Sequence, residues 1–407
     1  MDTDKLLQIR RQKGFEIANK MKILSQDGIW LVPSRSHLDR HHIVTLGLNK
    51  STCTCEDFTM RALPCKHIYA VQFRIAQQLN RNEPKLKERP TYPQNWSAYN
   101  KAQTQEKNLF MKLLHELCLT LQEEPKEKRR GRPTLPMSDM IFSSALKVYT
   151  TFSLRRFMTD INAAKYLSYV KTVPHFSMVS HYMEKKEMTP ILQDLVTLSS
   201  MPLKSIETEF AIDSSGLRTT EFTEYCNDKH EMERKHHWIK AHVCCGVKTH
   251  VITAVNVTEG SGSDSMQFMP LATQTQRNGF RVVEMSADKA YLSADNLSHI
   301  ARMGGTAFVP FKSDTAVPTQ DKLYTWKKMY NYFTFNREEF MQHYHKRSNV
   351  ESTFSMIKAR FTDLIRSKDE TAQINEVLLK VLCHNICVVI HEMFELGIEP
   401  KFLQVRM

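Results

Sequence analysis

Tyr344 to Arg360 reads YHKRSNVESTFSMIKAR, and how that stretch folds decides how the rest of the chain is read. It holds no Gly or Pro, is rich in helix formers, and spaces Val350, Phe354, Ile357 and, one residue beyond, Phe361 as a helix would. The pattern predicts one continuous helix. On a 3.6-residue wheel centred on Glu351, Arg347 falls about 40° away, and Tyr344 and Lys358 within roughly 20°. One carboxylate, two cations and a phenol therefore share a stripe, and the apolar residues form another. Taken alone, this is a solvated face whose Arg347–Glu351 pair is worth roughly a few tenths of a kcal/mol.

Two upstream stretches change that reading. Phe210-Ala211-Ile212-Asp213 and Arg281-Val282-Val283-Glu284-Met285-Ser286-Ala287-Asp288 are short apolar runs that each close on an Asp. An Asp at the end of a buried strand is costly unless something cationic stands beside it. Two such ends and a helix-borne Glu make a cage of three carboxylates suited to hard, oxygen-seeking Mg²⁺. That order of strand, strand and helix suits phosphodiester chemistry at a two-metal site.

The run Tyr344-x2-Arg347-x3-Glu351-x6-Lys358 resembles the Y-R-E-K signature of bacterial insertion-sequence DDE transposases, without a gap. Asp213 and Asp288 stand where that family keeps its two aspartates, with Glu351 following in the place of its glutamate. The resemblance covers roughly 138–396. It implies a ribonuclease-H-like α/β fold, a mixed sheet flanked by helices, with the acids on central strands and a flanking helix. It implies two Mg²⁺ (or Mn²⁺) per site, held by Asp213, Asp288 and Glu351, and the cutting and joining of DNA. Arg347, Lys358 and Tyr344 would then hold phosphate. The partners implied are double-stranded DNA, as terminal repeats and target, and a second copy of the chain when ends are paired. In some relatives an aromatic between the second Asp and the Glu stacks on a flipped base, and Trp326 is the candidate here, against an ordinary place in the core. Two other readings share these residues: a DNA-binding regulator without catalysis, and a nuclease of the same fold that cuts without joining.

Composition agrees with a polyanion partner. The 407 residues carry a net charge of +12 and a pI near 9.2, with 41% hydrophobic and 25% charged residues. No uninterrupted apolar run is long enough to cross a bilayer, and MDTDKLLQIRRQKGF is a charged helix rather than a signal peptide. The expectation is a cytoplasmic protein, nucleoid-associated if bacterial, with no membrane partner. Nine cysteines cannot all pair internally, which points to reduced thiols with some kept for metal.

Cys53-Thr54-Cys55 and, further on, Cys65-Lys66-His67 offer three sulfurs and one imidazole, a full tetrahedral set for one Zn²⁺. The order C-x-C…C-x-H resembles the SWIM zinc finger over residues 28–76, a module known to bind DNA or protein. Strands at 28–34 and 42–46 and a helix from Ile68 to Ala76 frame it. The organisation expected is a zinc module at 1–80, a helical segment and basic linker at 81–137, a helical DNA-binding region at 138–205 and a catalytic domain at 206–397. In the last, strands are expected at 208–213, 238–245, 248–257, 281–287 and 306–311. Helices are expected at 264–277, 293–302, 336–366 and 370–396. Trp238, Lys240 and His242 alternate along one strand and so share a face.

The linker contains Arg130-Gly131-Arg132-Pro133, equal to the core of an AT-hook, whose arginines enter a narrow A·T minor groove. A solvated basic hinge has the same composition. Replacing Arg130 and Arg132 with Ala is expected to lower the slope of log affinity against log salt by about one unit for each phosphate left unneutralised. An unchanged slope on A·T-rich duplex leaves the plain hinge.

Overall fold

The computed structural model describes residues 3–26, 29–34, 41–47, 51–82, 95–121, 134–219, 238–260, 262–312, 315 and 324–404. Arg130 and Arg132 of the basic linker lie outside them. The chain divides into two compact units, Met1–Gln94 and Asn95–Met407.

In the first unit, helix α1 (Thr3–Lys20) precedes an antiparallel sheet of β1 (Leu24–Gln26), β2 (Ile29–Pro33), β3 (His41–Thr45) and β4 (Thr52–Cys53), in that order. Helices α2 (Glu56–Arg61) and α3 (Lys66–Asn82) follow. Val32 and Val44 turn inward from β2 and β3 onto Ile17 of α1 and Ile68 and Val71 of α3. Such a core is small for its length, as in modules that depend on a metal. Arg10 of α1 reaches across to pair with Asp57 of α2.

The second unit opens with α4 (Trp96–Leu119), α5 (Met137–Thr150), α6 (Met158–Tyr166), α7 (Phe176–Met183) and α8 (Met188–Ser200). Pro136 takes the cap position of α5, and Pro174 stands just ahead of the His175 cap of α7. The sheet then forms from β5 (Glu209–Arg218), β6 (Trp238–Gly246), β7 (Ile252–Glu259), β8 (Glu284–Ala287) and β9 (Thr306–Phe308). Between and after the strands come α9 (Ser265–Arg277), α10 (Ala294–Arg302), α11 (Tyr324–Phe335), α12 (Arg337–His345), α13 (Ser348–Phe361) and α14 (Glu370–Glu395).

The sheet order is β7-β6-β5-β8-β9, antiparallel through β7, β6 and β5 and parallel from β5 to β9. This is a mixed sheet flanked by helices, as the resemblance implies. Alternation along β5 sends Phe210 and Ile212 into one core with α9 and α10, and Ala211 and Leu217 into the other with α13 and α14. The helices between 96 and 200 share that second core with the sheet.

One expectation fails. The stretch from 336 to 366 is two helices, not one, because Lys346 and Arg347 form a tight turn between α12 and α13. There Arg347 N donates to Tyr344 O and Val350 N to Arg347 O, the short spacing of a turn. The cause is tertiary. Lys346 is drawn to Glu209 at 2.7 Å and to Glu284 at 2.8 Å, at the starts of β5 and β8. Ser348 and Asn349, which favour caps and turns over helix interiors, offer little resistance.

Helix α14 is buried on almost every side. Among the described residues it is the one helix long and apolar enough to cross a membrane, and 78% of its most apolar window lies inside the protein. Several of its polar residues have a fixed partner. Asn375 donates to Met183 O at 2.8 Å, and Lys380 to Thr362 O and Leu364 O, both at 2.8 Å. His384 meets His250 O at 2.9 Å. Asn385 accepts from Ile252 N at 2.9 Å and donates to Ile252 O at 2.8 Å, closing the edge of β7 as a further strand would. Because Asn385→Leu leaves both backbone groups buried without partners, it is expected to cost about 2–4 kcal/mol. Urea denaturation with an unchanged m-value would measure it.

Candidate active site and zinc centre

Asp213 sits within β5 and Asp288 directly after β8, and the pairing of Ile212 with Ala287 sets them on adjacent strands. Parallel neighbours lie about 4.8 Å apart, so the two carboxylates leave the sheet side by side. Glu351 projects from the first turn of α13, which packs against β5. Arg347 ties the group together: its Nη1 lies 2.6 Å from Asp213 Oδ2, and its Nη2 2.5 Å from Glu351 Oε1.

The electrostatics follow from that crowding. Burial pushes the Asp213 carboxyl above its usual range; Asp288 and Glu351 add to the push, while the Ser214 N–H and Arg347 work against it. Burial also disfavours charge on Arg347, but Asp213, Tyr344 and Glu351 outweigh it and hold the guanidinium protonated. Crowded acids disfavour one another's charge, and one cation offsets two of them.

The sequence-predicted residues divide in two. Asp213, Asp288, Glu351 and Arg347 come together. Tyr344 lies in the last turn of α12 rather than sharing a helix with Glu351; it is half-buried against the core of α9 and α10, yet near enough to Arg347 to act on its charge. Lys358 lies two turns along α13, half-buried and near Asp363. Trp326 packs edge-on against Phe311, with ring centroids 5.0 Å apart, in an aromatic cluster of the core. Its ring is half-buried there, in a place where aromatics ordinarily pack.

A second group beside Asp213 is absent from the expected site. Ser214 Oγ donates to Asp264 Oδ1 at 2.9 Å, Lys240 Nζ lies 2.6 Å from the same oxygen, and His242 Nδ1 3.5 Å from it. Burial works against the charge of Asp264, but Lys240, Ser214 and His242 together hold its carboxyl below the usual range. Lys240 and His242 are legible as alternating residues of one strand. Asp264 is not, because an Asp ahead of a helix reads as a cap; here its side chain makes no cap bond and turns to β6 instead.

Among the described residues, two groups of metal-ligating side chains bring all their ligand atoms within 4.8 Å of one another: Cys53, Cys55, Cys65 and His67, and His391, Glu392 and Glu395. The three acids do not form such a group, since the Arg347 guanidinium lies between Asp213 and Glu351. Their all-oxygen donor set still fits a hard divalent cation, and an arginine there marks where positive charge is favoured.

The cysteine centre is drawn from β4, the cap of α2 and the first turn of α3. The Cys53 and Cys65 sulfurs lie 3.8 and 3.9 Å from His67 Nδ1. The Cys65 thiol is lowered to about 3, first by its hydrogen bond with Cys53 and, against burial, by His67 and the Ile68 N–H. A buried thiolate among thiols and an imidazole fits Zn²⁺. His42 stacks on His67 at 4.3 Å from β3 and stands outside the ligand set.

Residues 204–386 match the family model of the transposase DDE domain, and residues 42–73 that of the SWIM zinc finger. Among solved structures, the chain is similar to the piggyBac transposase in its synaptic complex with hairpin DNA, a cryo-EM structure. The two share 11% identity over 73% of this chain and 76% of that one, with a TM-score of 0.36, a distant likeness.

With Cys65 replaced by Ser, the first unit is expected to lose its zinc and, with it, the fold of roughly the first 80 residues. Elemental analysis should find about one zinc per chain in metal-replete protein. Finding none would refute the centre.

Proposed function

We propose that the chain is a DDE-type transposase with a SWIM zinc finger ahead of its catalytic domain, and that it cuts DNA at element ends and joins the freed 3′ ends to target DNA at one centre built from Asp213, Asp288 and Glu351. The observation that supports this is the register of β5 on β8, which puts Asp213 and Asp288 on adjacent strands, with Glu351 joined to Asp213 through Arg347. Divalent metal, Mg²⁺ or Mn²⁺, bound by these carboxylates would activate the attacking oxygen and stabilise the leaving one, in hydrolysis and in transesterification alike.

The protein's own residues do the positioning. Asp213 and Asp288 are fixed by backbone pairing rather than by loops, so their spacing resists distortion. Arg347 bridges Asp213 and Glu351. With those acids holding a metal, its fork would be available to a phosphate, which it matches in two-pronged geometry. Lys358, further along α13, supplies a second positive charge for the DNA backbone. Ser214 is steadied by Asp264 and Lys240, and its N–H bonds Asp213 at 2.8 Å, holding that carboxylate's orientation. Two ends must be brought together, so the active form in this reading is a homodimer. A nuclease of the same fold would show the first step without the second.

Asp213→Asn, Asp288→Asn and Glu351→Gln keep shape but remove charge, so folding and DNA binding should survive. Cleavage and strand transfer should fall together by roughly three or more orders of magnitude, because one centre serves both. Arg347→Ala and Lys358→Ala should cost less. Paired-end cleavage and joining in Mg²⁺ is the assay, and wild-type activity in Asp213→Asn or Glu351→Gln would refute the centre.

A further inference from the structure

We propose that Tyr291 is a positioning residue of this centre, its phenol hydroxyl donating to the shell of oxygens that forms around the carboxylates when they take up a divalent ion. The inference rests on the reading of Asp213, Asp288 and Glu351 as ligands.

Tyr291 is only 1% exposed, and its ring packs in the core near Phe268, with centroids 6.0 Å apart. Its hydroxyl is fully buried and has no hydrogen-bond partner. That is unusual, because a buried tyrosine ordinarily finds a partner and an unsatisfied hydroxyl is a cost that phenylalanine would not carry. Packing therefore does not account for the oxygen.

The surroundings say what does. Tyr291 ends the short turn that Asp288 opens, with Tyr291 N donating to Asp288 O at 2.9 Å. Asn296 fixes the other side of the residue by donating to Tyr291 O at 2.8 Å. The phenol is thus held rigidly on the backbone that carries the second aspartate. The charges that reach it are those of Asp213, Asp264 and Asp288. The Ser214 hydroxyl is also close enough to act on it, but donates to Asp264 and forms no bond of acceptable geometry with the phenol. A rigid donor among acids that finds no acceptor among the protein's own described atoms suits an acceptor that arrives with the ion. Magnesium keeps several waters of its own when bound by carboxylates, and those waters and the reoriented carboxylate oxygens are such acceptors. A partner beyond the ligands themselves orients a metal site in the same way.

Tyr291→Phe removes that oxygen and nothing else. Zinc-loaded wild type, Tyr291→Phe and Asp213→Asn would be compared by Mn²⁺ titration and by thermal melting with and without Mn²⁺. Without Mn²⁺, Tyr291→Phe should melt no lower than wild type, since it loses an unsatisfied group. Its Mn²⁺ affinity should fall roughly tenfold, the worth of a hydrogen bond to a charged acceptor, and its gain in melting temperature on adding Mn²⁺ should shrink. A lower melting temperature without Mn²⁺ would show a structural partner for the hydroxyl and overturn the proposal, as would wild-type Mn²⁺ affinity. If Asp213→Asn also bound Mn²⁺ like wild type, the ligand reading itself would fall and take the proposal with it.

Discussion

Two like charges held side by side on adjacent buried strands are the constraint on which the catalytic unit turns. The register of β5 against β8 fixes Asp213 beside Asp288, and burial makes that arrangement unfavourable for charged oxygens. The surrounding structure answers it with cations and donors. Arg347 reaches in from the turn before α13, Ser214 offers its N–H, and Lys240 and His242 hold a further acid, Asp264, in place. Nearer the starts of the same strands, Lys346 holds Glu209 and Glu284. Successive residues of one turn, Lys346 and Arg347, thus bind two levels of the central strands, and the break in the helix is what lets them point both ways.

That break explains why part of the site is legible in the sequence and part is not. Cysteines paired one residue apart are a local pattern, and the structure brings the four zinc-type ligands together as that pattern suggests. Asp288 does close its strand, but Asp213, read as the end of a strand at 208–213, lies midway along β5, which pairing with β6 carries on to Arg218. The helix through Tyr344 misleads because its interruption has no local cause: no Gly or Pro marks it, and the ions that bend it come from strands far earlier in the chain. Asp264 escapes notice because a capping residue and a site residue look alike until the side chain is seen to turn away from its own helix. Tyr291 escapes it because an aromatic after a strand reads as core, and only the orphaned hydroxyl separates it from phenylalanine.

The first unit meets its constraint differently. Its apolar core is short, and the four ligand side chains are themselves buried within it. Packing and coordination there use the same residues, so the unit cannot exchange one for the other. In the second unit, a far larger cluster of buried side chains holds the sheet and helices whether or not the acids are occupied. In the first unit the candidate ligands are part of the core itself, whereas in the second the core is built without the acids.

Helix α14 has a consequence in time. It follows in sequence the strands and helices that pack on it, and its two asparagines and its histidine satisfy backbone groups of partners made long before it. During synthesis the helices of 96–200 and the edge of β7 therefore wait with apolar surface open to water and with carbonyls unclaimed. At about 5–20 residues per second, that wait is on the order of ten to forty seconds from the end of α8. Until α14 is made, the larger of the two cores of this unit lacks the helix at its middle.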